Sequence, residues 1–222
     1  IVVAGESLVD LVAGPDEVVF TAHAGGSPFN CAMALARLGH ETGFLCPIST
    51  DSFGDLLLDT LTASGAKALL EERSRCNTTL AVVTRNAKGL PAYGFYRNGT
   101  AERDLVRDDL IGALPERVEL FQIGGFLPVE ADDFEVWLPV VEEAAQRGAV
   151  ISIDPNVRSA LIGDFEGYRA RLERFLDMAQ VIKVSDEDIA MLEPGRDIGV
   201  VAREWLGRPQ CRIVAVTQGD QG

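Results

Sequence analysis

The sequence predicts an α/β fold, in which a doubly wound and mostly parallel β-sheet carries a small β-sheet as a lid. Two observations support this prediction. Short β-branched runs alternate with amphipathic helical stretches, as parallel strands joined by crossover helices do. Residues 67–100 break this alternation and have the composition of strands and turns. We therefore expect residues 1–222 to form one α/β domain, with lid strands at about 18–22 and 67–100.

The individual elements follow from hydrophobic periodicity along the chain. Six strands of the main sheet are predicted, at residues 1–5, 42–46, 120–123, 149–153, 180–184 and 212–217. Five helices are predicted between them, at residues 29–38, 53–64, 132–147, 165–178 and 198–206. In the lid, residues 80–84 and 93–97 are expected to form a hairpin around a turn at 87–89, and residues 18–21 can pair with that hairpin.

The charge of the chain excludes several classes of partner. There are 34 acidic residues against 20 basic ones, a formal net charge of −14, so neither nucleic acid nor a membrane is an expected partner. No apolar run approaches the roughly 20 residues that a membrane-spanning helix needs. The four cysteines, Cys31, Cys46, Cys76 and Cys211, form no CxxC pair, which favours free, buried thiols in a cytoplasmic protein.

Both ends of the sequence fall inside structural patterns. The chain begins in a predicted strand, and it ends at residues 216–222, in a glycine-rich turn directly after the last strand. In a parallel sheet such a turn leads into a covering helix or a further strand. We therefore expect the polypeptide to continue beyond Gly222 and to have a short segment before Ile1.

Asp10 follows the first predicted strand and is the first candidate for ligand binding. Ligands of open α/β sheets bind beyond the carboxyl ends of the strands, where this side chain is expected. A carboxylate there can accept hydrogen bonds from two neighbouring hydroxyls, as a polyol offers. The alternative is an acid in a solvated turn, and the position alone favours neither.

A helix start preceded by two glycines gives the second candidate. Ser27 is suited to the N-cap position and Pro28 to the first helical position. Gly25 and Gly26 allow a ligand to approach backbone N–H groups at the positive end of that helix. Asn30, in the first turn, can both donate to and accept from a hydroxyl. An ordinary helix entry is the alternative, and these residues alone favour it.

Two further groups of polar residues follow strands. Asp154, Asn156 and Arg158 place an acid, an amide and a guanidinium at one strand end, and because such chance clusters are rare we favour a binding role. Arg97 follows an aromatic residue at the end of the lid hairpin, where the two could close over a sugar ring. Exposed aromatics are common on strands, so the second pattern is not specific.

Lys183, Ser185 and Asp188 lie at the end of the strand predicted at 180–184. The lysine can meet a phosphate, and the acid can hold a metal-bound water. Ser185 and Asp188 also have the spacing of a capping box, and the two roles are compatible. The sequence has no P-loop, no HExxH motif and only two histidines, so neither a zinc enzyme nor a hydrolase triad is expected.

Together these motifs resemble those of the PfkB, or ribokinase-like, carbohydrate kinases. Residues 24–32 and 51–54 resemble the first signature of that family, although Ser49 replaces a glycine that often appears in it. Residues 154–158 are similar to the strand-end motif of its fructokinase and 2-keto-3-deoxygluconate kinase branch. Residues 216–222 look like the turn that contacts the nucleotide. The order and spacing of the motifs agree over essentially the whole chain.

The resemblance implies a ribokinase-like fold and an enzyme that uses ATP and Mg²⁺. The sugar-binding residues that it implies are Asp10, Gly25, Gly26, Asn30, Arg97, Asp154, Asn156 and Arg158. The ATP-binding residues that it implies are Lys183, Ser185, Thr217 and Gly219. It also implies that Asp188 reaches the metal through water, although Ser185 and Asp188 stand where the family usually has Asn-x-x-Glu. The catalytic aspartate is expected beyond Gly222, and the lid is expected to pair in a homodimer.

The identity of the sugar stays open between two candidates. Two arginines, Arg97 and Arg158, favour an acid sugar such as 2-keto-3-deoxygluconate, because a guanidinium fork matches a carboxylate. Phe95 stands where the acid-sugar kinases tend to keep a tyrosine hydroxyl, and the overall pattern favours fructose. Two other classes are alternatives, a non-catalytic sugar-binding protein on the same scaffold and a Rossmann-type oxidoreductase. The second would need a dinucleotide glycine fingerprint, which the first strand lacks.

Overall fold

The computed structural model describes residues 1–14, 18–85 and 91–222. The chain divides into two compact units. One, called the lid unit below, comprises residues 5–113, and the other, the parallel-sheet unit, comprises residues 1–4 and 114–222. That residues 1–222 form a single domain stays a prediction. No helix in the described part of the chain is long and apolar enough to cross a membrane.

Eleven strands and seven α-helices occur in the described residues. The strands are β1 (Val2–Ala4), β2 (Leu8–Ala13), β3 (Phe20–Gly25), β4 (Gly43–Leu45), β5 (Lys67–Ala68), β6 (Leu80–Arg85), β7 (Pro91–Tyr96), β8 (Leu120–Gly124), β9 (Val150–Asp154), β10 (Val181–Ser185) and β11 (Ile213–Thr217). The helices are α1 (Ser27–Arg37), α2 (Ser52–Ala63), α3 (Arg107–Gly112), α4 (Ala131–Gln146), α5 (Phe165–Met178), α6 (Asp186–Leu192) and α7 (Ile198–Leu206). The six strands and five helices predicted from periodicity are all present, with ends shifted by at most two residues.

The parallel-sheet unit is built on strands paired in the order β11-β10-β9-β8-β1, all parallel. The side chains of Ile123, Ile151 and Ile182 on these strands are buried in the hydrophobic core. Helices α4 and α5 contact β9 and each other, and Phe134 meets Phe175 edge to face with ring centroids 5.2 Å apart. The parallel α/β architecture predicted from the alternation of strands and helices is therefore confirmed.

The lid unit contains a four-stranded sheet with the order β3-β2-β6-β7. Strand β2 pairs antiparallel with β3 and parallel with β6, and β6 pairs antiparallel with β7. The same unit contains a parallel pair, β4 and β5, and Phe29 of α1 packs edge to face on Phe44 of β4. The predicted hairpin of residues 80–84 and 93–97 is present, whereas the turn predicted at 87–89 lies outside the described residues.

The lid differs from the prediction at three points. Residues 8–13, which include the Asp10 expected beyond the end of the first strand, form strand β2, which pairs with β3 on one side and with β6 on the other. The strand predicted at 18–22 begins at Phe20, continues to Gly25 and pairs with β2 rather than with the hairpin. Residues 67–68 pair with β4 and so are not part of the lid sheet.

Asp51 links the start of α2 to the segment just before β6 through hydrogen bonds. Its carboxylate accepts the backbone N–H of Gly54 at 2.7 Å, which caps the helix. It also accepts the backbone N–H of Thr78 at 2.8 Å and the Thr78 hydroxyl at 2.6 Å. Partial burial alone would raise the pKa of Asp51, but the hydrogen bonds from Thr78 and Gly54 outweigh it and hold that pKa below its usual value.

We expect Asp51→Ala to lower the free energy of unfolding by about 1–2 kcal/mol at pH 7, the usual loss for an N-cap. Because the folded pKa is depressed, this stability is fully present above the pKa of an unfolded aspartate, about 3.9. It is lost as the pH falls through the lower folded pKa. Urea unfolding between pH 7 and pH 3 measures the difference from the wild type.

Asp59→Ala is the matched control, since Asp59 is an exposed acid on the same helix. It should change the free energy of unfolding by less than about 0.5 kcal/mol. Equal losses in the two variants at pH 7, or a loss for Asp51→Ala that stays constant down to pH 3, would contradict the role given to Asp51.

Candidate functional site

Asp10 lies in the middle of β2, beside the end of β3. A Cβ atom built on Gly25 would collide with Oδ2 of Asp10 and would lie 3.3 Å from its Cγ. The carboxylate therefore occupies the space that a side chain at position 25 would need. The structure brings Asp10 and Gly25 together as the sequence predicted, although Asp10 reaches this position from a strand and not from a turn.

Gly26 has a backbone conformation that favours glycine, with φ at +109°. A Cβ atom here would lie 2.6 Å from the carbonyl oxygen of Glu6, so no other residue fits without a shift of the backbone. Gly26 is the N-cap of α1, and Ser27 is the first helical residue, whereas the sequence predicted Ser27 as the cap. No side chain at the N-cap makes the expected capping hydrogen bond. Instead, the N–H of Ser27 donates to Oε1 of Glu6, a residue distant in sequence, at 3.2 Å.

Glu6 is a functional candidate that sequence reasoning missed. Glu6 is only 3% exposed. Its carboxylate lies at the N-terminus of α1, where the helix dipole favours negative charge. Glu6 thereby holds the turn at Gly25 and Gly26 in place beside Asp10. Asn30 lies in the first turn of this helix with an exposed side chain, as the sequence predicted.

Arg97 lies directly after β7, and its side chain is in a buried ion pair. Nε donates to Oε1 of Glu102 at 3.0 Å, and Nη2 lies 3.5 Å from Oε2. Both side chains are only 5% exposed. The Thr100 hydroxyl donates to the carbonyl oxygen of Arg97 at 2.9 Å and accepts from Thr79 at 2.7 Å. The sequence analysis did not predict a role for Glu102. The sequence feature that could have indicated the ion pair is an acid five residues after an arginine at a strand end.

In the parallel-sheet unit, Asp154 and Lys183 form an ion pair at the ends of neighbouring strands. Nζ of Lys183 lies 3.0 Å from Oδ2 of Asp154. The other oxygen, Oδ1, is buried and has no hydrogen-bond partner among the described residues. Burial raises the pKa of Asp154 and the Asp188 carboxylate adds to this, while Lys183 opposes both. The sequence assigned Asp154 to the sugar and Lys183 to ATP, and the structure places both in one contact.

The loop after Asp154 is held by Asp188. Oδ1 of Asp188 accepts the backbone N–H of Val157 at 2.8 Å, and Oδ2 accepts that of Ser185 at 3.4 Å. Ser185 in turn accepts the N–H of Asp188 at 3.0 Å, so the predicted capping box is confirmed. Asn156 has a φ of +42°, and Arg158 is exposed, with Nη1 donating to the carbonyl oxygen of Val157 at 3.2 Å.

The predicted nucleotide residues lie at one end of neighbouring strands. Lys183 and Ser185 are on β10, and Thr217 of β11 is paired with Ser185 in the parallel register. Gly219 begins a short 3₁₀ turn with φ at +57°. Since the carboxyl ends of parallel strands share one edge, these residues can face a common ligand.

The described residues give little support to a metal held directly by the protein. Within residues 1–14, 18–85 and 91–222, no three or more histidine, cysteine or acidic side chains are arranged to hold a metal ion. Asp188 is buried, and both of its oxygens accept backbone N–H groups. These groups do not fit direct metal coordination, and the metal role of Asp188 stays a prediction.

The chain is similar to known proteins over its whole length. The model of the pfkB family of carbohydrate kinases matches residues 1–222. The fructokinase of Rhizobium leguminosarum bv. trifolii is 33% identical over 226 residues, which cover 100% of this chain and 68% of that protein. Fructokinase-1 of Zea mays is also 33% identical, over 98% of this chain and 70% of that protein.

Solved structures give the same result. The fructokinase of Xylella fastidiosa superimposes with a TM-score of 0.88 at 30% identity, over 99% of this chain and 72% of that one. The structure of that enzyme with bound ATP gives a TM-score of 0.89 at 29% identity, with the same coverage. The fold class predicted from the sequence is confirmed, and the chain belongs to the pfkB family of carbohydrate kinases.

Proposed function

We propose that this carbohydrate kinase transfers the γ-phosphoryl group of ATP to a hydroxyl of fructose. The observation that carries the proposal is the Asp10 carboxylate held over the bare backbone of Gly25. An acceptor held in place by a glycine suits a polyol, whose hydroxyls can donate hydrogen bonds to the carboxylate. The fructokinases of Rhizobium, maize and Xylella support the choice of fructose.

On the sugar side of the lid unit, the exposed amide of Asn30 can both donate a hydrogen bond to a hydroxyl and accept one from it. Gly26 lets the turn before α1 pack against the carbonyl oxygen of Glu6. That Asp154, Asn156 and Arg158 of the parallel-sheet unit also bind the sugar stays a prediction from the family resemblance.

On the nucleotide side, Lys183 carries the positive charge that phosphates need. Its side chain is about two-fifths exposed and now pairs with Asp154, so a phosphate can compete for the ammonium group. Ser185, Thr217 and Gly219 at the same strand ends offer hydroxyl and backbone donors. The Xylella fructokinase with bound ATP supports ATP as the phosphoryl donor.

The proposed reaction balances as a single in-line transfer. The sugar hydroxyl oxygen forms a bond to the γ-phosphorus, and the bond from that phosphorus to the β–γ bridging oxygen breaks, so ADP leaves. The hydroxyl proton passes to a general base, which the resemblance places beyond Gly222. Mg²⁺ is proposed as the cation of the ATP phosphates because the family resemblance implies it, and Mg²⁺ in kinase sites is bound largely through substrate phosphates and water.

Two alternatives are less well supported. A non-catalytic sugar-binding protein does not agree with the family of kinases to which the chain belongs. A kinase of 2-keto-3-deoxygluconate would use Arg97 and Arg158 for the carboxylate, but Arg97 already pairs with Glu102. The four cysteines, all within the described residues, form no disulfide, which agrees with the proposed location in the cytoplasm.

We also propose that the lid forms a homodimer. Its sheet and the segment before β3 expose large hydrophobic side chains, namely Val12, Val18, Val19, Phe20, Tyr93 and Tyr96. Exposed apolar surface of this kind marks interaction sites. The strand register places Phe20 and Tyr96 on one face of the sheet and Val12 and Tyr93 on the other. A second copy of the chain is the proposed occupant, because pairing of lids is what the family resemblance implies.

The first expected outcome concerns the activity. With ATP and Mg²⁺, the full-length protein should release ADP in the presence of fructose, and EDTA should abolish this release. A coupled ADP-release assay over a panel of ketoses, aldoses and sugar acids measures it. The proposed function fails if intact, folded protein releases no ADP with any sugar.

The second expected outcome concerns the dimer. Replacing Phe20 and Tyr96 together by serine should convert the protein from dimer to monomer in size-exclusion chromatography with light scattering, because both side chains are exposed on the lid. Leu38→Ser, at a more exposed apolar position outside the lid sheet, is the control and should remain dimeric. A wild-type monomer at micromolar concentration would rule out the proposed dimer.

A further inference from the structure

Asp154 and Lys183 are neighbours on two paired strands of the parallel-sheet unit. The register of β9 and β10 aligns Ile153 with Ile182, so the next residue of each strand, Asp154 and Lys183, lies beside the other at the carboxyl end. Aligned residues of paired strands point to the same face of the sheet. The backbone pairing therefore sets the 3.0 Å contact between Nζ of Lys183 and Oδ2 of Asp154.

The strand on the other side of β9 offers Asp154 no side chain. Gly124 of β8 is aligned with Asp154, and a Cβ atom built on Gly124 would collide with the carbonyl oxygen of Asp154 and lie 3.5 Å from its Cβ. Among the described residues, Lys183 is the cation that pairs with this carboxylate, and the second carboxylate oxygen, Oδ1, is buried without a hydrogen-bond partner. The carboxylate is therefore directed to Lys183.

The two partners differ in their exposure to solvent. The side chain of Asp154 is 21% exposed, and that of Lys183 is 42% exposed. Burial raises the pKa of Asp154 and the Asp188 carboxylate adds to this, whereas Lys183 and the backbone N–H of Asn156 oppose it. The acid is thus the inner member of the pair, and the ammonium group is the end that an incoming ligand meets.

The ammonium group points to the same face as two hydroxyl-bearing residues. Lys183 and Ser185 are two residues apart on β10, so their side chains lie on one face of the sheet, and the parallel register places Thr217 beside Ser185. An ammonium group has three N–H donors, and Asp154 accepts one of them. The other donors and the two hydroxyls can meet phosphate oxygens at this end of the sheet.

We propose that Asp154 is a positioning residue, which directs the ammonium group of Lys183 toward the nucleotide phosphates. This inference rests on the proposed function, because it assigns to the ATP side a residue that the family resemblance gives to the sugar. Asp154 acts through Lys183 and need not touch either substrate. Its removal should therefore weaken the use of ATP and leave the binding of fructose unchanged.

The test measures each substrate separately in the full-length protein. Asp154→Ala should lower kcat/KM for ATP, and the affinity for a non-hydrolysable ATP analogue, by about ten- to a hundredfold, the range for one charged hydrogen-bonding contact. The affinity for fructose, titrated without nucleotide, should stay within about threefold, since one neutral contact is worth about that much. Asp132→Ala, at an exposed acid on α4 of the same unit, is the control and should keep all wild-type values.

A double-mutant cycle separates positioning from a direct role of Asp154. Lys183→Met should lose affinity for the analogue, and adding Asp154→Ala to that variant should cause no further loss, because no ammonium group is left to direct. Thermal melting checks the folding of each variant. If Asp154→Ala does not fold, Asp154→Asn replaces it in the cycle, with an expected loss of about three- to tenfold, since the amide keeps an acceptor but not the charge.

Three results would overturn the role of Asp154. In folded Asp154→Ala, the affinity for the analogue stays unchanged or rises, which would mean that the carboxylate only competes with the phosphate. The loss is confined to fructose, which would make Asp154 a sugar residue. The double variant loses a further tenfold or more relative to Lys183→Met. Failure of the proposed function is distinguishable, because the wild type would then release no ADP with fructose while the titrations with the analogue still measure the cycle.

Discussion

The close approach of the Asp10 carboxylate to the backbone of Gly25 is the constraint on which the candidate sugar site depends. Any side chain at position 25 would displace the carboxylate. The contact exists because β2 and β3 pair antiparallel, with Leu8 opposite Gly25 and Asp10 two residues further along β2. Asp10 belongs to β2, which pairs with both β3 and β6 in the lid sheet. The folding of that sheet therefore also positions the carboxylate proposed to bind the sugar.

Buried or half-buried carboxylates that accept backbone N–H groups hold loops in place in each of the two units. Glu6 accepts from Ser27 at the start of α1, Asp51 from Thr78 and Gly54 at the start of α2, and Asp188 from Val157 in the loop after β9. Charged hydrogen bonds of this type are stronger than neutral ones and fix loop geometry. Some of the acidic residues of the chain therefore have a structural role, and others lie on the exposed surface.

Most of the fold could be predicted from the sequence, because the main strands and helices have strong hydrophobic periodicity. Asp10, Gly25 and Gly26 could be selected as candidates, since they lie in short motifs next to the predicted elements, and the structure places Asp10 against Gly25. Their role in sugar binding stays a prediction. Strand β2 could not be found from local pattern alone, because its pairing with β3 and β6 depends on segments that are distant in sequence.

The long-range contacts of charged side chains could not be predicted from the sequence for a related reason. Glu6 and Ser27 are 21 residues apart, and Asp154 and Lys183 are 29 apart, so no local spacing connects them. Burial of Glu102 beside Arg97 requires the short helical turn at Ala101–Arg103 to fold back on the end of β7. Such contacts decide which cations remain available to a ligand, and they become visible only in the folded chain.

Calorimetric titration of fructose into the full-length Asp10→Asn protein tests the central claim most directly. The amide replaces one acceptor by a donor, so the account predicts a ten- to a hundredfold loss of affinity, about the worth of one charged hydrogen bond. Asp59→Asn, on the exposed face of α2, should bind like the wild type. Unchanged affinity in folded Asp10→Asn would show that the carboxylate over Gly25 does not hold the sugar.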